Sequence, residues 1–123
     1  MADSKTALLV DDDRDVRFLL RSTLKDQGHS VLEAGTIAQG AKMFEQNKPD
    51  LVVLDLSLPD GTGIELCRKI REHAELAATP VIMLTGDAEF KTLKGKEAGF
   101  AAGADQYLLK PIIKTKELAF RER

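Results

Sequence analysis

The sequence predicts an α/β fold: a doubly wound, five-stranded parallel sheet, order 2-1-3-4-5, covered by helices on both faces. Three observations carry this expectation. Residues 7–10, 51–54 and 81–84 are short, continuous apolar runs, the pattern of strands buried on both sides. Stretches with helical spacing separate them, so strand and helix alternate along the chain. No linker, repeat or low-complexity stretch breaks the alternation, and right-handed crossovers then place helices on both faces of one sheet. Of the two common doubly wound orders, five strands suit 2-1-3-4-5.

The first strand stops abruptly at Asp11, Asp12 and Asp13, where a loop must begin. Val16, Leu19, Leu20, Thr23 and Leu24 then recur at helical spacing and define an inward stripe, with Asp13 as the N-cap and Gly28 as the terminator. Ser30–Ala34 is a weaker second strand. Thr36, with Gln39 three positions on, makes a capping-box start to a second helix. Its inward face uses Ile37, Ala41 and Phe44, Gly40 weakens it, and it ends before Pro49. Residues 51–54 are the clearest strand, apolar and half β-branched, ending on Asp55. The turn-rich segment Leu58, Pro59, Asp60, Gly61, Thr62 and Gly63 follows, and Ile64, Cys67 and Ile70 line one side of a third helix. Pro80 introduces the fourth strand, which ends on Thr85 and Gly86. A polar helix from about residue 87 to residue 98 leads to the fifth strand, Gln106–Leu109, which ends on Lys110 and Pro111. A last helix starts near residue 114.

At 123 residues, 43% of them hydrophobic and 31% charged, the chain reads as one globular domain spanning 1–123. Lys and Arg number 18 against 20 Asp and Glu; the net charge of −2 gives no general attraction to nucleic acid or an anionic membrane. Cys67, the single cysteine, reads as a small core residue, and His29 and His73 as surface residues at helix ends without metal-ligand spacing. Neither a signal peptide nor a membrane span is expected, and a cytoplasmic, reducing location is. Gly61, Thr62 and Gly63 resemble the start of a dinucleotide fingerprint, but Leu66 stands where its third glycine belongs.

In the expected order, strands one and three are neighbours, and ligands bind beyond the carboxyl ends of the strands at that switch point. Asp11, Asp12, Asp55, Thr85 and Lys110 all fall at such ends. Two carboxylates about 4 Å apart repel by roughly 4 kcal/mol at an effective dielectric of 20, so three of them at a half-buried rim call for a cation. Lys110 supplies one positive charge. A hard divalent ion supplies two more, and Mg²⁺ is favoured because it uses one or two carboxylates and keeps places for water and phosphate. Asp55 is the expected nucleophile, with Mg²⁺ neutralising charge on the phosphoryl oxygens and the Thr85 hydroxyl and Lys110 ammonium binding them. Taken singly, each has an ordinary reading: cap for Asp11, Asp12 and Thr85, turn for Asp55, solvated charge for Lys110, strand terminator for Pro111, core aromatic for Tyr107. Their joint position at the strand ends favours the site.

With these residues in hand, the chain resembles the receiver domains of two-component response regulators over essentially its whole length. Val10-Asp11-Asp12 looks like the acidic pair, Asp55 in the stretch from Leu54 to Gly61 like the phosphoacceptor, Leu84-Thr85-Gly86 like the switch threonine, and Tyr107-Leu108-Leu109-Lys110-Pro111 like the lysine motif. The resemblance implies a flavodoxin-like receiver fold. It implies that Asp55 takes a phosphoryl group from a phosphohistidine of a sensor histidine kinase or phosphotransfer protein. Mg²⁺ would be held by Asp12, Asp55 and the Ser57 main-chain carbonyl, and by Asp11 through water. Thr85 and Tyr107 would move together on modification and reshape the face made by helix four, strand five and helix five; the bond before Pro111 is cis in the family pattern. An effector domain or output partner of unknown kind, and a phosphorylation-dependent dimer, belong to the same implication, with no direct contact of this domain to nucleic acid or membrane.

The sequence departs from the family pattern in places. Ser57 and Asp87, second neighbours of the acceptor and of the switch threonine, sit where the family tunes the lifetime of the phosphoryl group. The stretch from Thr85 to Lys110 is longer than usual, and the last helix lacks a glycine cap, which suits either a free-standing receiver or part of a longer regulator. Two rivals are weaker. An aspartate-nucleophile phosphatase needs a second Asp where Ser57 stands, and a flavin carrier would have its phosphate repelled by Asp11, Asp12 and Asp13. The expected role is therefore a phosphoacceptor that is modified on Asp55, not an enzyme turning over an outside substrate.

Overall fold

Each apolar run becomes a strand because a continuous run has no polar side to leave in water and must be covered on both faces. The computed structural model describes residues 5–85 and 102–109, with the backbone alone for Thr85 and Leu109. Along the chain these form β1 (Thr6–Val10), α1 (Arg14–Asp26), β2 (Ser30–Ala34), α2 (Ile37–Asn47), β3 (Leu51–Asp55), α3 (Gly63–Arg71), β4 (Val81–Thr85) and β5 (Gln106–Leu109). A small antiparallel hairpin, Ser57–Leu58 against Gly61–Thr62, stands between β3 and α3. All five long strands are parallel, in the spatial order β2-β1-β3-β4-β5 that the sequence predicts. The helices expected at 87–98 and from residue 114 onward lie outside the described residues.

Alternation of side chains along the strands divides the core in two. On one face Leu8, Val10, Val52, Leu54, Val81 and Met83 meet Phe44 of α2 and Leu66, Cys67 and Ile70 of α3. On the other, Ala7, Leu9, Val53 and Leu84 meet Leu20 and Leu24 of α1. Each fully buried leucine contributes about 1.5–3 kcal/mol, so the sheet is held chiefly by these two apolar layers. Gly40, a weak helix former, is where α2 packs tightly against both β1 and α3: a Cβ there would lie 3.0 Å from the Val10 and Leu66 side chains. The residue that lowers helix propensity is the one that permits the packing.

The helix faces differ from expectation in detail. Leu20 and Leu24 point inward, but Leu19 is 44% exposed beside an exposed Phe18, whose ring lies 5.3 Å from the Arg21 guanidinium. One residue is a rotation of about 100°, enough to carry Leu19 off the buried stripe. On α3 the buried set is Gly63, Leu66, Cys67 and Ile70, with Ile64 at the half-buried margin. Cys67 is a core residue as expected, and burial pushes its thiol pKa up. His73, expected on the surface, has a side chain only 17% exposed. Its ring stands edge-on to Phe44, and its Nδ1 accepts from the Glu75 and Leu76 amides at 3.1 Å each. Among the described residues no helix is long and apolar enough to cross a membrane.

The amino-terminal edge of the sheet is closed by side chains bonded to backbone. Asp50 accepts from the Thr6 amide at 2.9 Å while its own amide donates to the Thr6 carbonyl at 2.8 Å, which ties β3 to β1. Arg71, unremarked in the sequence, does more. Its Nε and Nη2 donate to the Gly103 carbonyl at 3.0 and 2.6 Å, and its Nη1 to the carbonyls of Ala77 and Thr79 at 3.0 and 2.6 Å. Nη2 also reaches Asp105 Oδ2 at 2.8 Å, the oxygen that accepts from the Val81 amide. One guanidinium thus joins α3, the loop before β4 and the loop before β5. Arg71→Ala leaves several carbonyls without this donor and is expected to lower stability by about 1–3 kcal/mol in urea unfolding. Arg71→Lys should recover little of it, because an ammonium lacks the planar fork; full recovery by lysine would contradict this role.

Candidate functional site

The last paired residues of β1 and β3 are Val10 and Leu54, so Asp11 and Asp55 lie one step beyond, side by side at the carboxyl ends of adjacent strands. Strand alternation continues the Leu9 and Val53 face into both positions. Asp11 is 1% exposed and Asp55 5%, while Asp12 is exposed at the rim. One carboxylate oxygen from each of the three lies within 4.8 Å of the others. At that separation two ionised groups repel by roughly 3.5 kcal/mol at an effective dielectric of 20. Three hard oxygen donors converging this closely could hold a divalent cation, which would relieve that repulsion.

Asp11 is held at several atoms. Its amide donates to the Ala34 carbonyl at 3.0 Å, and its Oδ1 accepts from the Asp13 amide at 2.9 Å. Asp13 in turn accepts from the Asp15 and Val16 amides and caps α1, the role expected for it. The Asp11 carbonyl accepts from Arg17 Nη1. Arg17 Nε donates to Glu33 Oε1 at 3.0 Å, and Arg21 pairs with the other Glu33 oxygen. Burial pushes the Glu33 carboxyl upward, but hydrogen bonds from Arg21 and Arg17 and their charges outweigh it, and the pKa ends below its ordinary value.

Asp55 is placed by the turn that follows it. Its Oδ1 accepts from the Ser57 amide at 3.4 Å; the Leu56 amide donates to the Leu84 carbonyl at 2.9 Å, and the Gly63 amide to the Leu56 carbonyl at 2.8 Å. α3 therefore starts directly against the strand end. A Cβ at Gly63 would stand 2.2 Å from the Asp55 carbonyl oxygen, so the helix reaches this position only because the residue has no side chain. The hairpin between them is docked by Asp60, which accepts from the Ile37 and Ala38 amides at 2.8 and 3.1 Å. Asp60 thus caps α2 from another segment of the chain, alongside the local cap from Thr36 to the Gln39 amide at 3.1 Å.

Of the residues predicted for the site, Asp11, Asp12 and Asp55 come together, and Ser57 follows on the hairpin with its amide on Asp55. The backbone of Thr85 ends β4, one residue beyond the Asp55–Leu84 pair. Tyr107 sits on β5 opposite Met83, half-buried against the α2 and α3 face, and burial raises its phenol pKa. The Thr85 side chain, Asp87, Lys110 and Pro111 lie outside the described residues. Arg17, Glu33, Asp60 and Gly63 were not anticipated as supports of the site. Arg17 falls one turn after the Asp13 cap, a spacing that could have placed it near the loop.

A family profile described as response regulator receiver domain matches residues 7–120. The KDP operon transcriptional regulatory protein KdpE of Escherichia coli is 43% identical over 105 residues, covering 85% of this chain and 44% of that protein. The chain thus spans less than half the length of this curated relative. A CheY-like response regulator receiver domain protein from Methanospirillum hungatei superposes with a TM-score of 0.85 at 30% identity, covering 96% of this chain and 90% of the other. The chemotaxis protein CheY4 of Vibrio cholerae gives a TM-score of 0.86 at 27% identity, covering 95% and 94%.

The backbone amide of Ile37 and then that of Ala38 hold the Asp60 carboxyl below its ordinary value of 3.8. A depressed folded-state pKa contributes stability that is present above that ordinary value and is lost as pH falls through the folded one. Asp60→Asn is therefore expected to lower the thermal midpoint at neutral pH, with the gap to the unaltered protein closing on acidification below about pH 4. A gap that stays constant across stepwise melts from pH 7 to pH 2 would show that Asp60 does not act through its charge.

Proposed function

The chain belongs to the response regulator receiver domain family, and from that membership we propose that Asp55 is the residue that accepts the phosphoryl group. The observation that carries this reading is the acidic trio at the sheet's carboxyl edge, with Asp55 nearly buried at the end of β3 and three oxygens within 4.8 Å. An Asp55 oxygen forms the new bond to phosphorus while the nitrogen–phosphorus bond of a partner's phosphohistidine breaks, and the imidazole leaves with the bonding pair.

Asp12, Asp55 and the Ser57 carbonyl would hold Mg²⁺, with Asp11 bound through water. The ion would neutralise charge gathering on the phosphoryl oxygens. The Thr85 hydroxyl and Lys110 ammonium are assigned to the same oxygens. The Ser57 amide and the capped loop from Asp11 to Asp13 keep the carboxylates oriented while the group arrives. Each event modifies the chain itself, so the proposed role is that of a phosphoacceptor and not of a multiple-turnover enzyme. The proposed donor is a sensor histidine kinase or a histidine phosphotransfer protein, in the cytoplasm. Thr85 and Tyr107 are the proposed switch, acting on an output face that includes β5 and either an effector domain or a separate partner; a phosphorylation-dependent dimer is one form of that output.

Asp55→Asn is expected to abolish labelling by a radioactive phosphodonor while leaving the thermal transition cooperative, and Lys110→Ala to reduce labelling. Label retained undiminished on the Asp55→Asn protein would place the acceptor elsewhere.

A further inference from the structure

We propose that Arg17 is a positioning residue for the cation site, and that it sets the affinity of the acidic trio for Mg²⁺ by fixing the main chain between Asp11 and Asp12. This rests on the reading of the Asp55 site given above. Asp12 is exposed, so packing does little to hold it; the place from which its side chain starts is set by the main chain, including the peptide plane that precedes it. The oxygen of that plane is the Asp11 carbonyl, and the Arg17 Nη1 donates to it. Arg17 is itself immobilised. Its Nε donates to Glu33 Oε1 at 3.0 Å, Glu33 is gripped through its other oxygen by Arg21, and the Nη1 lies where a Cβ on Gly35 would be 3.7 Å away. The guanidinium therefore joins Glu33 on β2 to the loop after β1, two segments that the hydrogen bond from the Asp11 amide to the Ala34 carbonyl also joins.

Charge and geometry make opposite forecasts for this residue. Arg17, Arg21 and Glu33 together carry one net positive charge, and any positive charge close to a cation site repels the cation. If Arg17 acted only through its field, removing it would tighten Mg²⁺ binding. If it acts by orienting the ligands, removing it loosens binding, because groups that orient metal ligands typically change affinity by about 10- to 100-fold. Lysine separates the two further: it keeps the charge but cannot place two parallel donors on the Asp11 carbonyl and Glu33 at once.

The experiment is a Mg²⁺ titration of the 123-residue chain followed by backbone amide chemical shifts, which report folding and binding in one spectrum. The expected result is that Arg17→Ala and Arg17→Lys both weaken Mg²⁺ binding about 10-fold, with the Asp11, Asp12 and Asp13 amides already displaced before any ion is added. Binding that is unchanged or tighter in Arg17→Ala overturns the proposal. So does an Arg17→Lys protein that binds as the unaltered chain does, and this arm decides the matter if the alanine variant fails to fold. Failure of the unaltered chain to bind Mg²⁺, or undiminished binding by Asp55→Asn, overturns the reading of the site together with the proposal. Normal binding that Arg17 does not affect overturns the proposal alone.

Discussion

Like charges held close together and almost out of water are the constraint around which this molecule is arranged. The parallel register that buries Leu8, Val10, Val52 and Leu54 also carries Asp11 and Asp55 to adjacent strand ends, where their main chain cannot draw apart without dislodging a core strand. Such a cluster opposes folding on its own account, so its geometry has to be maintained by its surroundings. The surroundings are specific: Asp13 capping α1, Arg17 on the Asp11 carbonyl, the Ser57 amide on Asp55, and the hairpin pinned by Asp60 to the start of α2. Each uses backbone groups, which move less than side chains do.

The two edges of the sheet are built on different terms. At the carboxyl edge the strand ends carry acidic side chains, with Asp12 open to solvent. At the amino edge the polar groups are satisfied within the chain, by Asp50 between β1 and β3 and by Arg71 and Asp105 between α3, β4 and β5. At the amino edge these bonds join one segment to another, whereas at the carboxyl edge the Asp13 and Ser57 amides each steady one oxygen of a carboxylate that converges with its neighbours. The segregation lets the apolar layers and the amino edge stabilise the fold while the carboxyl edge stays reactive.

Much of this could be read from the residues alone, for identifiable reasons. Continuous apolar runs have one physical solution, so β1, β3 and β4 were legible almost to the residue, and the acidic trio followed once the strand order was known. Helix faces were less legible, because a rotation of about 100° per residue makes a neighbouring position a different environment. Leu19 was misplaced and Leu66 overlooked for this reason. Contacts between distant segments were not legible at all. The capping of α2 by Asp60 joins residues more than twenty positions apart, and the bonds from Arg71 to Gly103 span thirty-two. His73 illustrates the same limit: nothing in its neighbours along the chain reveals the ring of Phe44 beside it.

The contact between Gly63 and the strand that bears Asp55 has a bearing on how such a chain can diversify. With a carbonyl oxygen where any β-carbon would have to go, position 63 admits an alphabet of one letter, whatever happens to the partner proteins or the signal. Variation that retunes this molecule has room to enter elsewhere, through exposed positions such as Leu19 or Phe18, whereas any side chain at the junction of helix and reactive strand would drive the two apart.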